Sequence, residues 1–215
     1  MLNRFTGAIL MLASTAFAQG TAAQAPDNKW TIAPLDSSAN FTVKHLLIST
    51  EHGSMGGMKG TVIYDPKDPS KDSVEATLEV STINTNNPTR DEKLKAEYFD
   101  AKQFPQIVFK STKVFKAGPN RLRMTGNLTI KGTTKQVVLE VQGPSQAVKD
   151  AQGREKIALT ATAKLSRKDF GIVGDALDSA LEGGGIIVSD EVALELDIEL
   201  MLPSQAGIVG PAKPK

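Results

Sequence analysis

The sequence predicts an all-β fold, an eight-stranded antiparallel β-barrel with one helix inserted at about residues 90–99, and three observations carry that prediction. Apolar and polar residues alternate strictly over most of the chain beyond Phe41, which in a strand sends successive side chains to opposite faces. Turn residues separate the alternating runs by short intervals, as antiparallel neighbours require. The runs are about ten residues long and apolar on one face only, a pattern that a closed barrel satisfies without exposed sheet edges. A sandwich is the competing architecture.

Taken in chain order, residues 1–18 hold one charge, Arg4, an apolar run from Gly7 to Leu12, and the ending Ala16-Phe17-Ala18. This is the pattern of a secretory signal peptide, too short and too polar to span a bilayer, with cleavage expected after Ala18 or at Ala23 to Ala25. Residues 19–29 are expected to be flexible, residues 30–202 to form the barrel, and the Gly-, Pro- and Lys-rich residues 203–215 to be a disordered tail.

The first strand is read at Phe41, Val43 and His45 and the second at Met58 to Tyr64. Between them Glu51-His52-Gly53 reads as a loop. In the third strand Val74, Ala76, Leu78 and Val80 alternate with Ser73, Glu75, Thr77 and Glu79. Thr89-Arg90-Asp91-Glu92 then resembles a capping box, with Thr89 as the cap, and Leu94 and Tyr98 fall one helical turn apart. Pro105 is expected to end that connection. Four more strands follow: Gln106 to Phe115, Leu122 to Ile130, Val137 to Val141, and Ile157 to Leu165. The last, Val192 to Leu200, sets an apolar face against a largely acidic one. Phe170 to Ser189, with Gly183-Gly184-Gly185, reads as a long loop over one end of the sheet.

Composition excludes much chemistry. Lys and Arg number 25 against 24 Asp and Glu, so no basic field exists to bind nucleic acid or an anionic membrane. The absence of cysteine excludes disulfides, thiolate metal sites and a cysteine nucleophile. His45 and His52 are the only histidines, and their spacing suggests no metal site. His45, beside Phe41 and Val43, reads either as a structural histidine or as a contact for a ligand head group. Arg90-Asp91-Glu92 and Arg167-Lys168-Asp169 read either as solvated charges or as head-group contacts. No nucleophile elbow, phosphate loop or dinucleotide fingerprint is present. No catalytic residue, cofactor or metal is expected. The small inward residues Ala76, Gly126, Ala161 and Ala163 favour an open lumen over a filled one.

An ordered set of motifs points further: Phe41-Thr42-Val43-Lys44-His45-Leu46, Asp65-Pro66, Ser81-Thr82-Ile83-Asn84-Thr85, Arg90 to Lys95, and Tyr98-Phe99-Asp100. It continues with Phe104 to Ser111, Gly126 to Gly132, Arg167 to Gly171, and Asp190-Glu191-Val192. From Trp30 to about Met201 the chain resembles the YceI family. The resemblance implies a lipocalin-like barrel in the periplasm that encloses an isoprenoid lipid of polyprenyl or quinone type, as a carrier or storage protein linked in some relatives with stress responses. Fatty acids or fatty amides, or a filled barrel acting as a stress or interaction protein, are the alternatives. The expected partners are a long-chain lipid and a second copy of the chain in a homodimer, with no membrane span. The expected lining is Phe41, Val43, His45, Val62, Tyr64, Leu78, Val80, Phe99, Phe104, Ile107, Phe109, Leu128, Ile130, Ala161, Ala163, Phe170, Leu194 and Leu196.

Overall fold

A computed structural model describes residues 28–46, 48–179 and 187–202. The signal peptide, the Gly183-Gly184-Gly185 run and the tail expected from the sequence lie outside the described residues. The strands are β1 (Lys29–Ile32), β2 (Ser38–His45), β3 (Ser49–Gly56), β4 (Lys59–Ile63) and β5 (Ser73–Glu79). They continue as β6 (Gln106–Gly118), β7 (Arg121–Ile130), β8 (Thr133–Gln142), the two-residue β9 (Val148–Lys149), β10 (Glu155–Ser166) and β11 (Val188–Met201).

All pairings are antiparallel, and the sheet closes because β11 pairs from Glu191 to Met201 with β10 and, on its other side, with β2 and then β1. β1 runs on into β2 through the short break at residues 33–37, and β3 into β4 through Gly57 and Met58. Counted in this way the barrel has eight staves: β1/β2, β3/β4, β5, β6, β7, β8, β10 and β11. The two breaks lie at one level, where Ser38 pairs with Gly56. There the buried Ser37 hydroxyl serves both the N–H and the C=O of Glu199, which restores the missing ladder contacts.

The two ends of the barrel differ. At one end lie the β4–β5 turn with Asp65 to Asp72 and the β6–β7 turn. The other end carries the β2–β3 turn, the β5–β6 connection and the segment between β10 and β11. The β5–β6 connection contains the inserted helix, an α-helical turn α1 (Pro88–Lys93) that loosens to π geometry over Leu94–Tyr98. Its cap is Asn87, whose side chain accepts the Arg90 N–H at 3.1 Å with Pro88 at the first helical position. Thr89 is therefore not the cap, because the Asn-Pro pair two residues earlier already starts the helix.

Three further expectations are corrected. His52 lies in β3, not in a loop. Lys29 opens β1 and the Asn28 carbonyl accepts the Tyr64 N–H, so those residues of the segment expected to be flexible belong to the barrel. Part of the stretch after Phe170 is ordered as the short helix α2 (Asp175–Asp178).

Candidate functional site

The inward faces of the staves enclose a cavity of about 480 Å³, within the range of small-molecule sites. The wall is almost wholly apolar. Phe41, Val43, His45, Val62, Tyr64, Leu78, Phe99, Ile107, Phe109, Leu128, Ile130, Ala161, Phe170, Leu194 and Leu196 all stand on it. Met55, Met58, Met124, Leu139, Leu165 and Val192 complete much of the remainder. Thioethers adapt well to a flexible apolar occupant.

Val80, Phe104 and Ala163 are placed elsewhere. Val80 turns out of the sheet at the end of β5 and is buried beside Ile83. The Phe104 ring covers the Lys131-Gly132 turn, so closely that a Cβ on Gly132 would lie 2.8 Å from it. Ala163 keeps its short methyl within the wall beside Leu194, its partner on β11. Gly126 also departs from expectation: a Cβ there would lie 2.4 Å from the Phe109 ring, so this glycine is a seat for an aromatic ring and adds no free space.

Polar groups touch the cavity at its two ends. At the helix-bearing end, Arg90 donates from Nε to Thr85 Oγ1 at 2.7 Å, from one terminal nitrogen to the Thr85 carbonyl at 2.8 Å, and from the other to Glu51 at 2.7 Å. Thr85 in turn donates from its N–H and its hydroxyl to the buried Asp91. Glu51, Thr85, Arg90 and Lys93 all contribute to the cavity wall, so this network frames the end of an otherwise apolar tube.

The buried Arg167, also on the wall, has only 4% of its side chain exposed. It donates to the carbonyls of Ile172, Val188 and Ser189 and to Asp178, and lies 3.3 Å from Asp190. It is neither a solvated charge nor free for a head group: it ties the segment after β10 to the start of β11. The Arg167 guanidinium, the Gly174 N–H and Lys168 together hold the Asp178 carboxyl well below the usual range. Hydrogen bonding to Asp190 and Asp178 raises the Lys168 ammonium.

At the opposite end Asp72 reaches the cavity. Burial pushes its carboxyl up to about 6, opposed by the hydrogen bond from the Asp65 N–H and reinforced by the carboxylates of Asp65 and Asp68. Burial raises the neighbouring Tyr64 phenol, helped by Asp72 and Asp65. Among the described residues no group of three or more His, Asp or Glu is placed to hold a metal ion, and no helix is long and apolar enough to cross a membrane.

Sequence reasoning missed Glu51 and Met55. The inward residues of β3 are Glu51, Gly53 and Met55, so the expected apolar alternation is erased. Glu51 is taken up by Arg90, and Gly53 lies under the Phe41 ring of its cross-strand partner. A glycine opposite an aromatic residue was the available signal.

Comparison with known proteins places these features in a lineage. A family model described as a YceI-like domain matches residues 30–200. Protein YceI of Salmonella newport is 38% identical over 153 residues, covering 71% of this chain and 78% of that protein. Among solved structures, BcnA of Burkholderia cenocepacia superposes with a TM-score of 0.66 at 22% identity, covering 78% of this chain and 98% of BcnA. A Campylobacter jejuni YCEI protein gives 0.60 at 25% identity, covering 90% and 99%. A polyisoprenoid binding domain from Saccharophagus degradans gives 0.60 at 12% identity, covering 81% and 98%, and shares the fold.

Proposed function

The chain belongs to the YceI family, and from that premise and the apolar lumen we propose that it is a binding protein for an isoprenoid lipid, not an enzyme. The observation that carries the proposal is the cavity itself, about 480 Å³ with a nearly continuous wall of aliphatic, aromatic and thioether side chains. A polyprenyl chain is insoluble in water and asks for an apolar tube rather than for hydrogen bonds. Each buried methylene-sized unit contributes ~0.8 kcal/mol before ordering costs, so a few isoprene units give useful affinity. The S. degradans domain, named as polyisoprenoid-binding, supports the reading by shared fold. The N-terminal pattern of residues 1–18 supports export, which makes the periplasm the working compartment. Lys93 on the wall favours, as a second reading, a fatty acid whose carboxylate meets its ammonium.

Solvent extraction of purified protein from the native and a heterologous host, followed by mass spectrometry, tests the proposal. A polyprenyl lipid is expected. Bound lipid should also raise stability by RT ln(1 + [L]/Kd), ~2.7 kcal/mol at a hundredfold excess over Kd. Protein that is ligand-free from both hosts and takes up no added polyprenol refutes it.

A further inference from the structure

The helix-bearing end of the barrel carries at its β2–β3 tip two exposed aliphatic side chains, Leu46 and Ile48, close to the wall residue His45. β2 ends at His45, on the wall, and the chain turns back at once, with the Ile48 N–H donating to the His45 carbonyl at 3.3 Å. Such a turn ordinarily takes Asn, Asp or Gly. Here Leu46 occupies the left-handed region at φ 53°, and Ile48 is 85% exposed. Of the other non-glycine residues with positive φ, Asn86, Asp100 and Asn120 are of the types that tolerate it, and Lys131 is a long polar chain. A bulky aliphatic side chain with no polar group to bond the local backbone is a poor choice for folding at this strained position, and such an exception points to a role outside folding.

The tip is continuous with the rest of that end. The Leu46 N–H donates to Ile187, a wall residue, whose own N–H donates to Ser179 just after α2. The same segment presents Val173, half exposed. Behind the tip on β2 stands the exposed Lys44 ammonium, held by Thr50. Aliphatic side chains in front of a lysine form the arrangement of a segment that sits in a bilayer interface, apolar groups inward and ammonium at head-group level.

We propose that the side chains of Leu46 and Ile48 dock on a lipid bilayer and that the occupant of the lumen exchanges with the membrane at this end. The occupant is chemically unable to cross water alone, so a surface that meets its source belongs close to its cavity. The exchange rests on the lipid-binding reading above, whereas docking does not.

The test is flotation of the purified protein with vesicles of phosphatidylethanolamine and phosphatidylglycerol containing no polyprenol. Wild type should float. Ile48→Asp should lower the bound fraction roughly tenfold or more, the loss expected for one fully inserted aliphatic side chain. Leu46→Asn, which suits the backbone, should also lower it while raising the melting temperature. A wild type that stays at the bottom of the gradient, or an Ile48→Asp variant that floats equally well, overturns docking. A second arm measures polyprenol taken up from ethanol and from loaded vesicles. Both variants should match wild type from ethanol and lag from vesicles, and equal rates from vesicles overturn the exchange. Wild type that floats but takes up no polyprenol from either source refutes lipid binding and leaves docking standing.

Discussion

Replacing Ala161 by Phe asks the lumen to accept a ring in place of its lipid. Ala161 is 2% exposed, stands on the cavity wall in the middle of β10, and faces Val141 and Leu196 across the sheet. A benzene ring fills a cavity of about 150 Å³, roughly a third of the 480 Å³ present. Burying the ring is worth about 1.5–3 kcal/mol, offset by ~0.5–1 kcal/mol of rotamer entropy, so lipid-free protein should hold or gain roughly 1 kcal/mol. A filled interior would instead be overpacked and lose about 1–3 kcal/mol. The ring displaces about five methylene-sized units of ligand, ~4 kcal/mol, or near a thousandfold in affinity. Urea melts of delipidated protein give the first quantity and lipid retention after extraction the second. Lower stability together with undiminished lipid would refute the lumen as the binding site.

Three further outcomes follow from described contacts. Arg167→Ala strands three carbonyls and the Asp178 carboxylate and should destabilise by about 3–5 kcal/mol in denaturant melts, whereas Lys168→Ala, whose ammonium is exposed, should leave the melt nearly unchanged. Asp72, raised to about 6 in the folded state against an ordinary value of 3.8, binds more protons folded than unfolded, so stability should fall as pH rises from about 4 to 6. Asp72 is partly exposed, and after solvent screening the effect is on the order of 1 kcal/mol. Asp72→Asn, which can still accept the Asp65 N–H, should flatten that slope and stabilise at pH 7 in thermal melts. Asn87→Ala should cost about 1 kcal/mol as a lost cap and Thr89→Ala much less, read from the same melts.

The staves were legible in the sequence wherever one face is buried and the other wet. Val192 to Leu200 states its inward side chains outright, and the structure pairs that run residue by residue with β10. β1 and β3 were not legible, for two physical reasons. β1 has four residues, too few for a period to emerge. β3 fills its inward positions with a carboxylate paired to a distant arginine and with a glycine under a neighbour's ring, so burial is achieved by residues of another strand. The lumen wall was legible for the same reason as the staves, and the polar frame around Arg90 was not. It joins Glu51, Thr85 and Arg90 over 39 residues of chain, which no local pattern encodes.

The seam by which the barrel closes also fixes when it can close. Thr31 of β1 hydrogen-bonds the Met201 carbonyl of β11, 170 residues away, and β11 supplies one neighbour to β10 and two more to β1 and β2. A chain emerging N-terminus first, from a ribosome or from a membrane pore, therefore has its opening strands exposed until the last stave is through. The ring cannot form on fewer, and so large a sequence separation makes its closure slow. Until β11 arrives, the other staves can form only an open sheet with both edges unpaired.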